Sequence, residues 1–338
     1  MVAKELLRVE DLYVMYKTDM EEVHAVNGIS FTIREQETLG LVGETGAGKT
    51  STALAILRLL PDRTGRIPSG NIWFQGKNIL EMDHEELRRL RGGDIAMIFQ
   101  DPMTSLNPVI PVGQQIAEAL LLHNEEGLTR EQIEDRVDET LELVGIPSSR
   151  KNEYPHQFSG GMKQRVVIAI ALSCNPRLLI ADEPTTALDV TIQAQVLALI
   201  NELKEKLKTA VLMITHDLGI IAETCDKVAV MYAGEIIEYG TVEDIFEADK
   251  HHPYTVGLFG AIPKIHEETD RLEQIEGLMP DPTDLPPGCK FHPRCKHCMP
   301  VCREKEPPVF QEGDHLLKCH LFGNSSGCER NGTSCLSL

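Results

Sequence analysis

A glycine-rich octet, Gly43-Glu44-Thr45-Gly46-Ala47-Gly48-Lys49-Thr50, constrains this 338-residue chain more than any other stretch. An apolar run before it (Leu39, Leu41, Val42) reads as a short buried strand. The stretch from Thr50 to Leu60 carries apolar residues at helical spacing and stops before Pro61. Strand, glycine loop and helix together are the setting in which G-x-x-x-x-G-K-[ST] becomes a phosphate cradle. Glycines let backbone N–H groups converge on phosphate oxygens, and the helix N-terminus adds partial positive charge. Lys49 supplies a full charge for the β- and γ-phosphates, and the Thr50 hydroxyl can ligate Mg2+.

The rest of the chain must build a fold around that loop. Residues 6–42 read as strands, with Ile29, Phe31 and Ile33 alternating before the buried run. Ile72-Trp73-Phe74 and Ile95-Ala96-Met97-Ile98-Phe99 read as further strands. From about Gly113 to Gly145 the pattern turns helical. Thr129 with Gln132 forms a capping box, Ile133, Val137, Leu141 and Val144 make one apolar stripe, and Gly145 and Pro147 end it. Ser159-Gly160-Gly161 opens another helix, through Ala171. Leu178–Ala181 and Val211–Ile214 are short apolar runs suited to central parallel strands covered on both faces. Strands alternating with helices give an α/β architecture, with a helical insertion between Gln100 and Ser159.

Charge narrows the function. With 33 basic and 52 acidic side chains the net charge is −19, which argues against the basic face a nucleic-acid partner needs. No apolar run has the length of a membrane span, and Met1-Val2-Ala3-Lys4-Glu5 lacks the apolar core of a signal peptide. The expectation is a soluble chain in a reducing compartment. Seven of the nine cysteines lie from Cys289 onward, and in such a compartment that crowding suggests a metal rather than disulfides. Beyond about Pro263 the composition shifts to proline, cysteine and histidine, as in a small appended domain too poor in core to stand without a metal. Cys174 and Cys225 are expected to be buried and inert, and His251-His252 to form a turn before Pro253.

An apolar strand, Leu178-Leu179-Ile180-Ala181, ends in Asp182-Glu183, which places one carboxylate where it can hold Mg2+ and the next where it can polarise an attacking water. Gln100 and His216 also follow strands. The array as a whole resembles the nucleotide-binding subunit of ATP-binding-cassette (ABC) transporters. The phosphate loop, Gln100, Phe158-Ser159-Gly160-Gly161-Met162, Asp182-Glu183, Ala187-Leu188-Asp189 and His216 appear in that family's order. The resemblance implies ATP contacts from Tyr16, Gly43, Glu44, Thr45, Gly46, Ala47, Gly48, Lys49, Thr50, Ser51, Gln100 and Asp182. It implies Mg2+ on Thr50, Gln100 and Asp182, and catalytic roles for Glu183, His216, Gln100 and Lys49. Ser159, Gly160 and Gly161, the signature sequence, would complete the ATP site of a second cassette.

The signature ends in Met162 rather than Gln, as in the subgroup serving dipeptide and oligopeptide importers. Gln100-Asp101-Pro102-Met103-Thr104-Ser105-Leu106-Asn107-Pro108 and His252-Pro253-Tyr254-Thr255 resemble the same subgroup. It implies a P-loop NTPase fold over residues 1–262, with a RecA-like core, an antiparallel β-subdomain and a helical signature subdomain inserted at about 101–160. A small cysteine-rich domain (263–320) and a loosely ordered tail (321–338) would follow. The implied function is the ATPase of a peptide importer at the cytoplasmic face of the membrane, with nickel or another solute as the alternative cargo and a nucleic-acid-associated cassette as the weaker reading. Implied partners are a second ATPase chain (a related F-type subunit or a second copy), two transmembrane permease subunits and, indirectly, an extracytoplasmic substrate-binding protein; nucleic acid is not among them. Cys289, Cys295, Cys302 and Cys319 fall where D-type subunits hold a [4Fe–4S] cluster. Four thiolates can also hold zinc or stay free, and Cys298 gives five candidates for four places. Cys328 and Cys335 have no assignment.

Overall fold

The computed structural model describes residues 4–125, 127–186, 188–261 and 275–323. The tail from residue 324, with Cys328 and Cys335, lies outside the described residues, as do Ala187 and residues 262–274. The chain divides into two compact units. Of the described residues, one gathers 5–33, 39–80, 215–261 and 275–323; the other gathers residue 4, residues 34–38 and those between 81 and 214.

The first unit contains two sheets. Long strands Glu5–Lys17 and Glu22–Arg34 carry a sheet that Asn71–Phe74 and Lys77–Asn78 extend, with Gly65–Arg66 on Glu5–Lys17. The alternation read from the sequence is realised, with Ile29, Phe31 and Ile33 all buried. Leu7 pairs with Phe74 and Val9 with Ile72, antiparallel, so apolar partners share one face. In the second sheet the wholly buried strand Thr38–Val42 runs parallel to Lys227–Tyr232, which pairs antiparallel with Glu235–Thr241. Ala233 and Gly234 join those two strands with φ of 48° and 81°, the left-handed pair that a two-residue hairpin requires.

A hairpin absent from the sequence reading, Val309–Glu312 with His315–Lys318, adds two more strands through Leu316 and Leu317 on Tyr239 and Glu238. Otherwise residues 275–323 contain one short helix, Pro300–Glu304. They do not form a core of their own. Phe291 inserts between Tyr232 and Tyr254, ring centroids 5.1 and 5.5 Å away, and joins the same buried cluster as Val42, Val228 and Val230.

The second unit is built on three parallel strands, Ile95–Ile98, Leu178–Asp182 and Ala210–Thr215, the latter two with every residue buried. The helical insertion comprises Pro102–Ser105, Val112–Leu122 and Arg130–Leu143. The Thr129–Gln132 capping box forms, and Gly145 (φ 72°) closes the last of these helices. Helix Gly160–Leu172 follows with Ser159 as its N-cap, and Asp189 caps the long helix Val190–Leu207. In the first unit the helix after the glycine loop is shorter than its apolar spacing suggests. It spans Lys49–Ile56 rather than reaching Leu60, because Arg58 turns left-handed (φ 49°) and the Leu59 N–H reaches back to the Leu54 carbonyl.

Candidate functional site

The glycine loop wraps the open N-terminus of helix Lys49–Ile56. Gly48 caps that helix at φ 102°, where a side chain is strained, and a Cβ there would run into the Ala25 carbonyl. No side chain caps the helix, so its first N–H groups and its dipole face the loop's concavity. The hairpin turn braces the loop from behind through the Gly234 N–H on the Ala47 carbonyl (3.0 Å). Lys49 is buried and donates to the carbonyls of Gly43 (2.7 Å) and Glu44 (3.0 Å). Thr45, Gly46 and Thr50 are exposed and Ser51 is half-buried. Tyr16, also half-buried, donates its phenol proton to Ser51 Oγ at 3.0 Å, which ties the first strand to this helix. His216 is exposed just beyond strand Ala210–Thr215, ahead of the helix that Asp217 caps.

In the second unit, strand Leu178–Asp182 ends with Asp182 buried and Glu183 half-exposed. Glu183 sits at φ 47°, a left-handed conformation uncommon outside glycine, and its N–H bonds to the Ile214 carbonyl of the neighbouring strand (2.8 Å). Two donors converge on its carboxylate. Gln100 Nε2 lies 2.9 Å and Thr186 Oγ1 3.0 Å from the same oxygen, Oε2. The structure therefore brings Gln100 and Glu183 together, residues 83 positions apart in the chain.

The signature segment has its own supports. Ser159 and Gly160 are exposed and Gly161 is buried, with Ser159 Oγ accepting from the Met162 N–H. Arg150 stacks on Phe158 at 4.5 Å and donates to the Met162 sulfur at 3.4 Å. Two residues that the sequence reading overlooked matter here. Gln164, fully buried on this helix, donates to the Pro184 carbonyl (2.6 Å) and so fastens the turn that carries Glu183. Thr186 is the second donor to the Glu183 carboxylate. A buried glutamine one turn into an apolar helix was the available signal for the first.

Residues 26–186 match the ABC transporter family model, and residues 237–302 match that of the oligopeptide/dipeptide transporter C-terminal region. The oligopeptide transport ATP-binding protein OppD of Bacillus subtilis is 49% identical over 321 residues, covering 94% of this chain and 89% of that protein. The dipeptide transport ATP-binding protein DppD of Haemophilus influenzae is 47% identical, over 95% of this chain and 97% of its own length. The chain belongs to this family of ABC transporter ATP-binding subunits. Among solved structures, a dimeric ATP-binding cassette in a post-hydrolysis state bound to ADP and Pi aligns with a TM-score of 0.62 at 25% identity, over 70% of this chain and 98% of its own. CbiO1 of Clostridium perfringens, part of an ABC transporter complex, aligns with the same TM-score at 30% identity, over 72% of this chain and 91% of its own. Among the described residues of this ABC subunit no helix is long and apolar enough to cross a membrane.

The subunit's C-terminal cysteines are close neighbours but are not drawn together. Cys289, Cys295, Cys302 and Cys319 lie within electrostatic reach of one another in every pairing, so a charge on any one opposes charge on the others; Cys298 stands in that relation to Cys295. Burial pushes Cys289 up to about 12 and Cys319 up to about 11, and raises Cys295, so these thiols hold their protons in the absence of a cation. Among the described residues no three cysteine sulfurs lie within 4.8 Å of one another. Zinc in a four-thiolate site, with Zn–S near 2.3 Å, would draw them to about 3.8 Å. Cys298 points instead at the Met299 carbonyl (3.6 Å). Cys174 and Cys225 are half-buried rather than buried: both sit at helix ends, and Cys225 packs against the edge of the core.

The pair His251-His252 divides in function. His252 caps helix Pro253–Gly260, its Nδ1 accepting from the Tyr254 N–H (3.1 Å), as a turn before Pro253 requires. Burial holds its pKa down at about 4, so it stays neutral. His251 Nδ1 and His315 Nε2 instead meet the same oxygen of Glu238, at 2.8 and 2.9 Å. The His252 N–H and the Thr255 hydroxyl fill the other oxygen, at 2.8 and 2.6 Å. Fully buried Glu238 thus joins the His-Pro-Tyr-Thr helix to the C-terminal hairpin. Nothing in its own neighbourhood in the sequence announces this.

Proposed function

We propose that this subunit binds ATP and hydrolyses it to energise import of oligopeptides or dipeptides by a bacterial ABC transporter. The observation that carries the reading is the Glu183 carboxylate, fixed at a strand end by Gln100 and Thr186. A carboxylate so held can orient and polarise an attacking water without reorganising during the reaction. Lys49 exchanges the carbonyls of Gly43 and Glu44 for the β- and γ-phosphates, whose remaining oxygens take the loop N–H groups from Thr45 to Ser51. Tyr16 serves the adenine, and His216 acts as the switch residue. Thr50, Gln100 and Asp182 would each be a ligand for Mg2+, and the ion when bound would offset the phosphate charge. The peptide assignment draws support from relatives named for oligopeptide and dipeptide transport along nearly their whole length.

Exposed Ser159 and Gly160, at the N-terminus of a 13-residue helix, suit the γ-phosphate held by a second cassette. A relative solved as a dimer with ADP and Pi supports that pairing. The second cassette is a related chain or a second copy. A groove of about 430 Å3 on the helical insertion, edged by exposed Leu121 and Leu122 beside Gln114 and Ile133, is suited to a permease segment at the cytoplasmic face of the membrane. We divide the chain into a cassette to residue 262 and a C-terminal region to 320. By donor type Cys289, Cys295, Cys302 and Cys319 would hold a [4Fe–4S] cluster, with zinc as the alternative. Bound there, the cluster would supply a cross-link among segments with few strands of their own. Glu183→Gln in the assembled transporter tests the central claim: ATP stays bound and phosphate release falls at least about a hundredfold. Normal turnover in that variant sinks it.

A further inference from the structure

Arg294 lies far along the chain from every residue of the ATP motifs, yet its side chain is built onto the glycine loop. The side chain is 5% exposed, and its guanidinium grips the Glu44 carboxylate at two points, Nη1 to Oε2 at 2.7 Å and Nη2 to Oε1 at 3.1 Å. Its other donors are also used. Nε reaches the Glu276 carbonyl (3.0 Å), Nη2 the Ile275 carbonyl (3.3 Å) and Nη1 the Tyr232 hydroxyl (3.4 Å). All five N–H groups of the fork therefore have acceptors, a geometry that no lysine can reproduce. The arginine is itself fixed, because Phe291 accepts its backbone N–H and is wedged between Tyr232 and Tyr254.

Glu44 is the second residue of the loop, and it is held at every polar group. Its N–H donates to the Tyr254 hydroxyl (2.9 Å), its carbonyl accepts from Lys49 (3.0 Å), and its side chain is taken by Arg294. The next two residues, Thr45 and Gly46, are exposed. A phosphate cradle needs its N–H groups aimed before the ligand arrives, since any ordering left until binding subtracts from affinity. When Lys49 turns to a phosphate, the Glu44 carbonyl keeps the Ala47 N–H (3.1 Å), and the residue keeps its contacts to Arg294 and Tyr254.

We propose that Arg294 is a positioning residue for nucleotide binding, a C-terminal strut that pre-orders the stem of the phosphate loop through Glu44. The inference rests on the loop's being the ATP site. Arg294 touches no substrate; it acts through Glu44, so its loss weakens ATP binding and leaves the chemical step alone. Freeing one loop residue from its anchor costs roughly tenfold in affinity.

The test titrates a fluorescent ATP analogue with Mg2+ into the full-length chain, and measures KM and kcat in the assembled transporter. Arg294→Ala is expected to bind the analogue about tenfold more weakly, with KM raised to match and kcat within twofold of the native value. Arg294→Lys recovers part of the loss. Adding Glu44→Gln to Arg294→Ala produces no further loss, because both remove one contact. Folded Arg294→Ala protein with native ATP affinity, whatever its melting temperature, overturns the proposal, as does full additivity with Glu44→Gln. Should Arg294→Ala fail to fold, Arg294→Lys and Glu44→Gln decide the matter in the same assay, native affinity in both being the refuting result. Native protein that binds no ATP would defeat the functional reading instead, a separate outcome.

Discussion

Replacing Glu238 with glutamine removes a buried charge on which four donors converge, and its cost can be worked from the structure. Burial alone would raise the pKa of this carboxyl. Bonds from His251, His315, Thr255 and the His252 N–H outweigh burial and hold it down at about 2, against the usual 4.5. At ~1.4 kcal/mol per pH unit, the interval from 4.5 to about 2 is worth about 3 kcal/mol of folding stability. The folded value lies below the unfolded one, so this contribution is complete above pH 4.5 and is lost as pH falls through 2. Linkage leaves only about 1.4 kcal/mol of it at pH 3. His251 works in the opposite direction. Its bond to Glu238 raises its pKa, so its share is present below pH 6.5 and lost as pH rises through the folded value. Urea unfolding followed by Trp73, the chain's single tryptophan, measures the difference. Glu238→Gln should be less stable than native by about 3 kcal/mol at pH 6, with the gap narrowing by about 2 kcal/mol at pH 3. A gap below about 1 kcal/mol at pH 6, or one that does not change with pH, would refute the argument.

Gly48→Ala should fold yet bind ATP at least about tenfold more weakly, as calorimetry would register, since φ of 102° and the Ala25 carbonyl leave no room for a methyl group. Protein purified without oxygen should be brown and contain iron, and Cys289→Ser should lose both colour and iron while Cys298→Ser keeps them. Colourless protein with stoichiometric zinc by metal analysis would reverse that assignment.

The ATP motifs were legible because each is local: a turn that needs glycine, a cation, a strand ending in carboxylates. Helix boundaries were readable where a side chain caps the backbone, as at Thr129 and Ser159, and misjudged after Ile56, where a backbone turn at Arg58 ends a helix whose apolar spacing runs on. The hairpin of residues 309–318 escaped notice because two four-residue strands with mixed polarity carry almost no periodic signal. His315 carried no signal, and His251 read only as part of a turn, until Glu238 lay between them.

Sequence alone determined the strand–loop–helix around Lys49, the order of the motifs and therefore the family, since short-range stereochemistry dictates each piece. Tertiary structure decided which distant residues share a charge: Gln100 with Glu183, Glu238 with two histidines, Arg294 with Glu44. Those contacts join residues separated by 13 to 250 positions. Only the folded chain brings them within hydrogen-bonding range, and burial makes each one matter, because a polar group taken out of water must find its partner inside the protein.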